Sequence, residues 1–242
     1  MYLIEAKQRP ILNKLFSDFE TIWKMDLPVV EEPNQRRGGW SGVYIYDHHN
    51  DNGATERFFV KRQENHYKKT LLNPIKGRLT FELEYINIQK FQDRQVPVVE
   101  PVFFEQRKYK GKDQAILITK DLKGYTPLED LLKNSPESEY EAMLTRSGQL
   151  IRNMHDAKLV HRCLHPKHLF LIKKNDAYEG AFIDLEKVRE SSFNSSSKRD
   201  DLRRLLKLRN LDRSSLIKPL VKGYGLSPTE SEALEDYLLK NP

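Results

Sequence analysis

The stretch 161–171, HRCLHPKHLFL, followed from position 182 by FIDLEK, constrains this chain more than any other. A polar run rich in His and cationic residues is succeeded by two short apolar runs, 168–172 and 180–185, around the turn-forming KKNDAYEG. Apolar runs of that length flanking Asn, Asp and Gly predict a β-hairpin. The polar loop enters the first strand and Asp184 sits at the exit of the second. His168, at the start of one strand, and Asp184, at the end of the other, are therefore expected to face one site. A carboxylate leaving a buried strand is costly unless it is paired or metal-bound.

The spacing is that of a phosphotransferase catalytic loop. Such loops read His-Arg-Asp, then an Asn five residues after the Asp, then a hairpin ending in a metal-binding Asp. Here His161, Arg162 and Asp184 match, Cys163 holds the Asp position and His168 the Asn position. A thiol with an ordinary pKa of about 8.5 is a poor substitute for the Asp that orients and accepts the proton of the attacking hydroxyl. The neighbouring Arg162, His161 and His165 can lower that value. His165, which titrates near neutrality, is a candidate replacement base. Phosphoryl transfer depends largely on positioning and electrostatics, and a lost base costs roughly 10²–10⁴-fold, so weak activity survives in one reading. In the other, Cys163 is an inert small residue in a binding-only fold. His168 is open to three readings: a weak metal ligand, a phosphate contact, or a structural residue bonded to the loop. Mg²⁺ prefers oxygen, which makes an imidazole there unusual.

The rest of the chain divides by pattern. Apolar and β-branched residues alternate after the Gly-rich RRGGWSGV (36–43), and ERFFVKRQ (56–63) follows the turn cluster DHHNDNG, which predicts a hairpin. Phe81, Tyr85, Ile88 and Phe91 recur at helical spacing in 80–92. Strands are expected over 96–106 and 114–122. The second half is mainly helical, with a short helix from 126 to 132 that has Pro127 in its first turn and Glu129 placed for a capping box, and a longer one over 140–157. SSFNSSSKRD (191–200) reads as a mobile Ser-rich loop. Asp200 and Asp201 come after it, placed to cap a helix in preference to pairing with Arg162. Leu202, Leu205 and Leu206, then Leu216, Ile217 and Leu220, mark closing helices. The expected fold is α+β: a β-rich N-terminal lobe, 1–121, and a helical C-terminal lobe, 122–242, with a ligand cleft between them.

Four further positions could touch a ligand. Gly38, Gly39 and Gly42 can let backbone N–H groups approach phosphate oxygens, or can simply build a turn. Lys61 shares a strand face with Phe59 and can reach into a cleft towards phosphate, or can face water on an edge strand. Its helical partner is Glu82 or Glu84.

The chain has 242 residues and a net charge of +6. Its single cysteine, Cys163, excludes an internal disulfide and suits a reducing compartment. No apolar run reaches the length of a membrane span, and the N-terminus lacks the apolar core of a secretion signal, so a cytoplasmic protein is expected. The segment 198–225 holds Lys198, Arg199, Arg203, Arg204, Lys207, Arg209, Arg213, Lys218 and Lys222 against Asp200, Asp201 and Asp212, an excess equal to that of the whole chain. A local basic face fits an anionic partner: a phosphate-bearing glycolipid, an anionic membrane surface or nucleic acid. A solvated helix face accounts for any one of these charges. Aromatics are sparse there and no recognition motif is present, so no nucleic acid is expected.

Taken together, PNQRRGGWSGV (33–43), FFVKRQ (58–63), 80–106, ILITKDLKGYTPLEDLL (116–132), HRCLHPKHLFL and FIDLEK resemble the lipopolysaccharide kinase (Kdo/WaaP) family, and within it an InaA-like branch of Gram-negative bacteria. The resemblance covers most of 33–205 and implies a two-lobed, protein-kinase-like fold. It implies ATP and Mg²⁺ as cofactors, a lipopolysaccharide core sugar or related glycolipid as acceptor, and peripheral contact with the inner membrane. It assigns Lys61 to the ATP phosphates, Glu84 to Lys61, Lys120 and Leu122 to the nucleotide-binding connector, and His168 and Asp184 to the metal. Cys163 departs from the sugar kinases, which keep Asp there, and follows the InaA-like branch. A pseudokinase, a nucleotide-responsive regulatory module in envelope or stress response, is the alternative.

Overall fold

A computed structural model describes residues 16, 18–35, 38–70, 73–191, 195–208 and 211–241. The chain forms two compact units, one of residues 1–88 and 99–123, the other of 89–98 and 124–242. The division expected at 121/122 assigns 89–98 to the first lobe, whereas these residues cluster with the second unit.

The first unit opens with helix α1 (Phe19–Lys24), capped by Asp18, whose carboxylate accepts from the Thr21 N–H at 2.8 Å. Strands β1 (Val29–Asn34), β2 (Trp40–His49) and β3 (Thr55–Glu64) follow. Short β4 (Tyr67–Lys68) and β5 (Arg78–Leu79) pair with each other, and helix α2 (Thr80–Asp93) leads to β6 (Pro101–Tyr109) and β7 (Lys112–Lys120). The main sheet is antiparallel throughout, in the order β1-β2-β3-β7-β6. The cluster expected to turn at 47–53 contributes its first three residues to β2, and the chain reverses at 50–54, with Gly53 at φ +78°. Strand alternation decides the core. Phe58 and Val60 of β3, with Ile116 and Ile118 of β7, face Phe16, Phe19 and Ile22. Phe59 and Lys61 lie on the other face of β3. Helix α2 starts where it does because the buried Gln63 side chain accepts from Thr80 Oγ1 at 2.7 Å and from the Phe81 N–H at 2.9 Å.

The second unit contains β8 (Thr126–Pro127), α3 (Leu128–Asn134), α4 (Tyr140–Asp156), β9 (Leu159–Val160), β10 (Leu169–Lys174), β11 (Ala177–Phe182) and β12 (Arg189–Glu190), then α5 (Ser195–Leu205), α6 (Arg213–Tyr224) and α7 (Pro228–Lys240). The predicted β10–β11 hairpin forms, with Leu169 opposite Phe182. The helix expected from 126 starts at Leu128, because Thr126 and Pro127 pair with Leu171 and Phe170 of β10. With Thr126 in a sheet, no capping box forms, and Glu129 instead bonds Lys133 at 2.6 Å. The expected loop at 191–200 is also corrected. Residues 195–200 open α5, which buries Asp201, Leu202 and Leu205, so docking overrides the weak helix propensity of the serines. Residues 192–194 lie outside the described residues.

Helices α4 and α6 pack backbone to backbone at two glycines. A Cβ on Gly223 would lie 1.9 Å from the Thr145 carbonyl oxygen, and one on Gly148 would lie 2.2 Å from that of Leu220. Nearby, Glu190 of β12 binds Lys90 at 2.7 Å and Arg94 at 2.6 Å, and Arg94 also donates to the Ala157 carbonyl. These bonds tie the end of α2 to the rest of the second unit.

Two expectations follow. Gly223→Ala should destabilise the protein by about 3 kcal/mol in urea unfolding, because a packed backbone contact must open. Gly53→Ala, at a positive φ in open space, should lose only about 1 kcal/mol. Equal losses would contradict the close-packing account. Lys90 and then Arg94 hold Glu190 down to about 2 from an ordinary 4.5. A depressed carboxylate stabilises the fold above its unfolded value and loses that contribution as pH falls through its folded one. Glu190→Gln should therefore be less stable than wild type at pH 7, by under about 1 kcal/mol for so exposed a group. The gap should close between about pH 4.5 and 2.

Candidate functional site

The loop that follows β9 is built around a carboxylate supplied from about forty residues later in the sequence. Asp201 of α5 is 0% exposed. Its two oxygens accept from the backbone N–H groups of His161 and Arg162, each at 2.7 Å. His155 Nε2 lies 3.3 Å from the same carboxylate, and its Nδ1 lies 2.8 Å from the Tyr224 hydroxyl. Burial lowers the pKa of His155, so the ring is neutral, donating through Nε2 and accepting the tyrosine proton at Nδ1. The expected cap at Asp201 is thereby corrected: it lies mid-helix and bonds the loop's backbone, not the Arg162 side chain. Asp200 is also within the helix, where it pairs with Arg203 at 3.1 Å.

With those amides held, Arg162 adopts φ +63° and the loop turns. His161 is buried and its Nε2 donates to the Ile183 carbonyl at 3.0 Å. The Cys163 carbonyl accepts from the His165 N–H at 2.9 Å and from His168 Nδ1 at 2.7 Å. His161 and His168 stack, with ring centroids 5.9 Å apart and 13° between planes. Asp184 ends the second strand run in a left-handed conformation, φ +59°, ψ +58°, which turns its side chain out of the hairpin. Its Oδ2 lies 3.3 Å from His168 Nε2, and its side chain is 40% exposed. The hairpin thus brings His168 and Asp184 together, as expected from their strand positions.

Burial pushes His168 down to about 4 against the opposing pull of Asp184, so the ring is neutral at pH 7. His165 is also lowered, first by burial and then by Arg204, Lys167, Lys207 and Lys187. It is therefore neutral and able to accept a proton, but it is a weakened base. The Cys163 thiol, 9% exposed, receives the Lys187 ammonium at 3.4 Å. Lys187 was not singled out from the sequence. Its position three residues after Asp184, at the end of a single helical turn, was the available signal.

In the first unit, Lys61 Nζ lies 2.6 Å from Glu84 Oε1, with the side chains 15% and 3% exposed. The geometry selects Glu84 over Glu82, which pairs with Arg78 at 3.3 Å. An edge position for Lys61 is excluded, since β3 is paired on both sides, to β2 and β7. Gly39 is required by close approach: a Cβ there would lie 2.0 Å from the Glu64 carbonyl oxygen. Gly38 has φ +77°, and a Cβ on Gly42 would meet the Tyr44 hydroxyl at 2.8 Å. Arg36 and Arg37 lie outside the described residues. Lys120 ends β7 and binds Glu56 at 3.1 Å, and Leu122 is half-buried just beyond.

Several cations of the basic segment have local partners. Arg203 and Arg204 reach Asp200, Lys222 binds Glu141 at 2.8 Å, and Arg199 covers the Tyr237 ring. Lys207 and Lys218 are exposed, and Arg209 lies outside the described residues. Among the described residues, no helix is long and apolar enough to cross a membrane.

Replacing Asp201 by Asn puts an amide against two backbone donors. Asp201→Asn should lose about 3 kcal/mol and speed hydrogen exchange at the His161 and Arg162 amides above other sites in the second unit. Exchange unchanged at those two amides would show that Asp201 does not hold the loop.

The profile of the lipopolysaccharide kinase (Kdo/WaaP) family matches residues 20–224. Protein InaA of Escherichia coli (strain K12) is 30% identical over 197 residues, covering 79% of this chain and 88% of that protein. A solved structure of WaaP in complex with acyl carrier protein superposes with a TM-score of 0.69 at 17% identity, covering 99% of this chain and 97% of that one. The likeness to WaaP shows the fold, an α+β, two-lobed protein-kinase-like architecture. The chain belongs to the lipopolysaccharide kinase (Kdo/WaaP) family.

Proposed function

We propose that this chain is an ATP-dependent phosphotransferase acting on a lipopolysaccharide core sugar or related glycolipid. The observation that carries the reading is the Lys61–Glu84 ion pair, 2.6 Å long and almost withdrawn from water. A buried ion pair is a weak source of stability, because desolvation offsets most of its attraction. A lysine held by a buried glutamate is instead suited to presenting a fixed positive charge to a polyphosphate. Lys120 and Leu122 flank the connector where the nucleotide base would bind, and the Gly38–Gly39 turn would offer backbone N–H groups to phosphate oxygens.

In the second unit, Asp184 is the hard oxygen donor that would hold Mg²⁺, with phosphate and water oxygens completing its shell. Mg²⁺, when bound, would neutralise charge on the transferring phosphoryl group. His165, neutral and within the loop, would accept the acceptor hydroxyl's proton. Cys163 would contribute shape without base strength. Exposed Lys207 and Lys218 would attract an anionic glycolipid, which fits a cytoplasmic protein in peripheral contact with the inner membrane. One observation favours the pseudokinase as a second reading: a thiol facing Lys187 stands where the proton-accepting carboxylate belongs.

Thermal shift with millimolar ATP and Mg²⁺ tests the nucleotide site. Wild type should be stabilised and Lys61→Met should not; no shift in wild type would sink the reading. Single-turnover transfer from ATP to purified core oligosaccharide then separates kinase from pseudokinase. Transfer by wild type, falling roughly 10²-fold in His165→Ala, supports the kinase. Transfer seen only in Cys163→Asp marks a pseudokinase that has lost its base.

A further inference from the structure

Cys163, His168 and Asp184 bring a sulfur, an imidazole nitrogen and a carboxylate oxygen within 4.8 Å of one another. Their hydrogen bonds fix which atoms are presented. His168 Nδ1 lies 2.7 Å from the Cys163 carbonyl, which can only accept, so Nδ1 carries the proton and donates. That leaves Nε2, 3.3 Å from Asp184 Oδ2, as the ring atom presented to the site. The 3.3 Å separation matches the edge of a tetrahedron whose metal–nitrogen and metal–oxygen bonds are each about 2.0 Å. The Nδ1 bond to a backbone carbonyl is also the arrangement that orients a metal-binding histidine.

The third donor decides which ion. A sulfur, a nitrogen and one oxygen form a borderline-soft set, poorly matched to Mg²⁺, which demands oxygens, and well matched to Zn²⁺. A thiolate and a carboxylate would balance a divalent charge. The Lys187 ammonium, 3.4 Å from the sulfur, supplies the N–H contact that a metal-bound thiolate's remaining lone pairs accept. The exposed side of Asp184 leaves an entry path and an open fourth position.

We propose that Cys163, His168 and Asp184 form a three-ligand site for a thiophilic divalent cation, Zn²⁺ in particular, with the fourth position left to water or an anionic ligand. This deepens the nucleotide reading, because it gives the Asp184 site a second ion. Zn²⁺ and nucleotide-bound Mg²⁺ would compete for one carboxylate, and zinc occupancy would hold the protein in a non-transferring state. The residue that replaces the usual base would then serve as a metal ligand.

The test uses the full chain, reduced and freed of metal by a chelator. Titration with Co²⁺ should give a thiolate-to-cobalt charge-transfer band in the near ultraviolet that saturates at one metal per chain and is displaced by Zn²⁺. Cys163 is the only cysteine, so no other residue can produce that band. Competition against a chromophoric chelator should show Zn²⁺ binding weakened roughly 10²-fold in Cys163→Ser and in His168→Ala. Absence of the band in wild type overturns the proposal. So does equal zinc affinity in wild type and Cys163→Ser, which would place the metal on surface histidines such as His48 and His49. Measuring the ATP–Mg²⁺ thermal shift on wild type and Cys163→Ser separates the two ideas. A retained nucleotide shift without a cobalt band rejects zinc alone, and a band without a nucleotide shift rejects the nucleotide site alone.

Discussion

The buried carboxylate of Asp201 is the interaction on which the loop depends. Its two oxygens take two consecutive backbone N–H groups, those of His161 and Arg162, at the point where the chain turns through a positive φ. A left-handed non-glycine residue costs of order 1 kcal/mol or more, and charge-assisted bonds to a buried anion offset it. From that fixed point the rest is geometry. His161 stacks on His168, and the Cys163 carbonyl sets the His168 tautomer. The hairpin register then delivers Asp184 to the other ring nitrogen. A neutral histidine, His155, lies against Asp201 on its other side and is itself bonded to Tyr224.

Strand β3 does comparable work in the first unit through two adjacent cations on opposite faces. Lys61 meets the Glu84 carboxylate. Arg62 points the other way, donates to the carbonyls of Trp23 and Met25 and covers the Tyr44 ring. Those carbonyls belong to the C-terminal end of α1, where a helix leaves acceptors unsatisfied and favours positive charge. Strand alternation therefore separates two jobs: one cation caps a helix, and its neighbour is kept available beside a glutamate.

What the sequence disclosed follows how local each cause is. Hairpin strands, the helical spacing of Phe81, Tyr85, Ile88 and Phe91, and the pairing of His168 with Asp184 are encoded within short windows, and all appear in the fold. The choice of Glu84 over Glu82 came from resemblance and is matched by the ion pair, because helix phase turns only Glu84 to Lys61. The misread segments are those where a distant partner decides. Thr126 was claimed by Leu171, 45 residues later in the chain, which removed the expected cap. The serines from 195 became helical because Leu202, Leu205 and Asp201 dock. Arg62 looked like any strand cation, and its partners lie 37 to 39 residues away.

The order of residues along the chain has a consequence for how the site is made. During synthesis the loop and its hairpin emerge before α5 does, so His161 and Arg162 exist for a time without their acceptor. Closing a connection of that length carries an entropic cost that only the completed helix offsets. The loop therefore waits for α5, although its own residues are made earlier. A chain released before position 201 would keep every motif residue of the loop and still lack the loop's conformation.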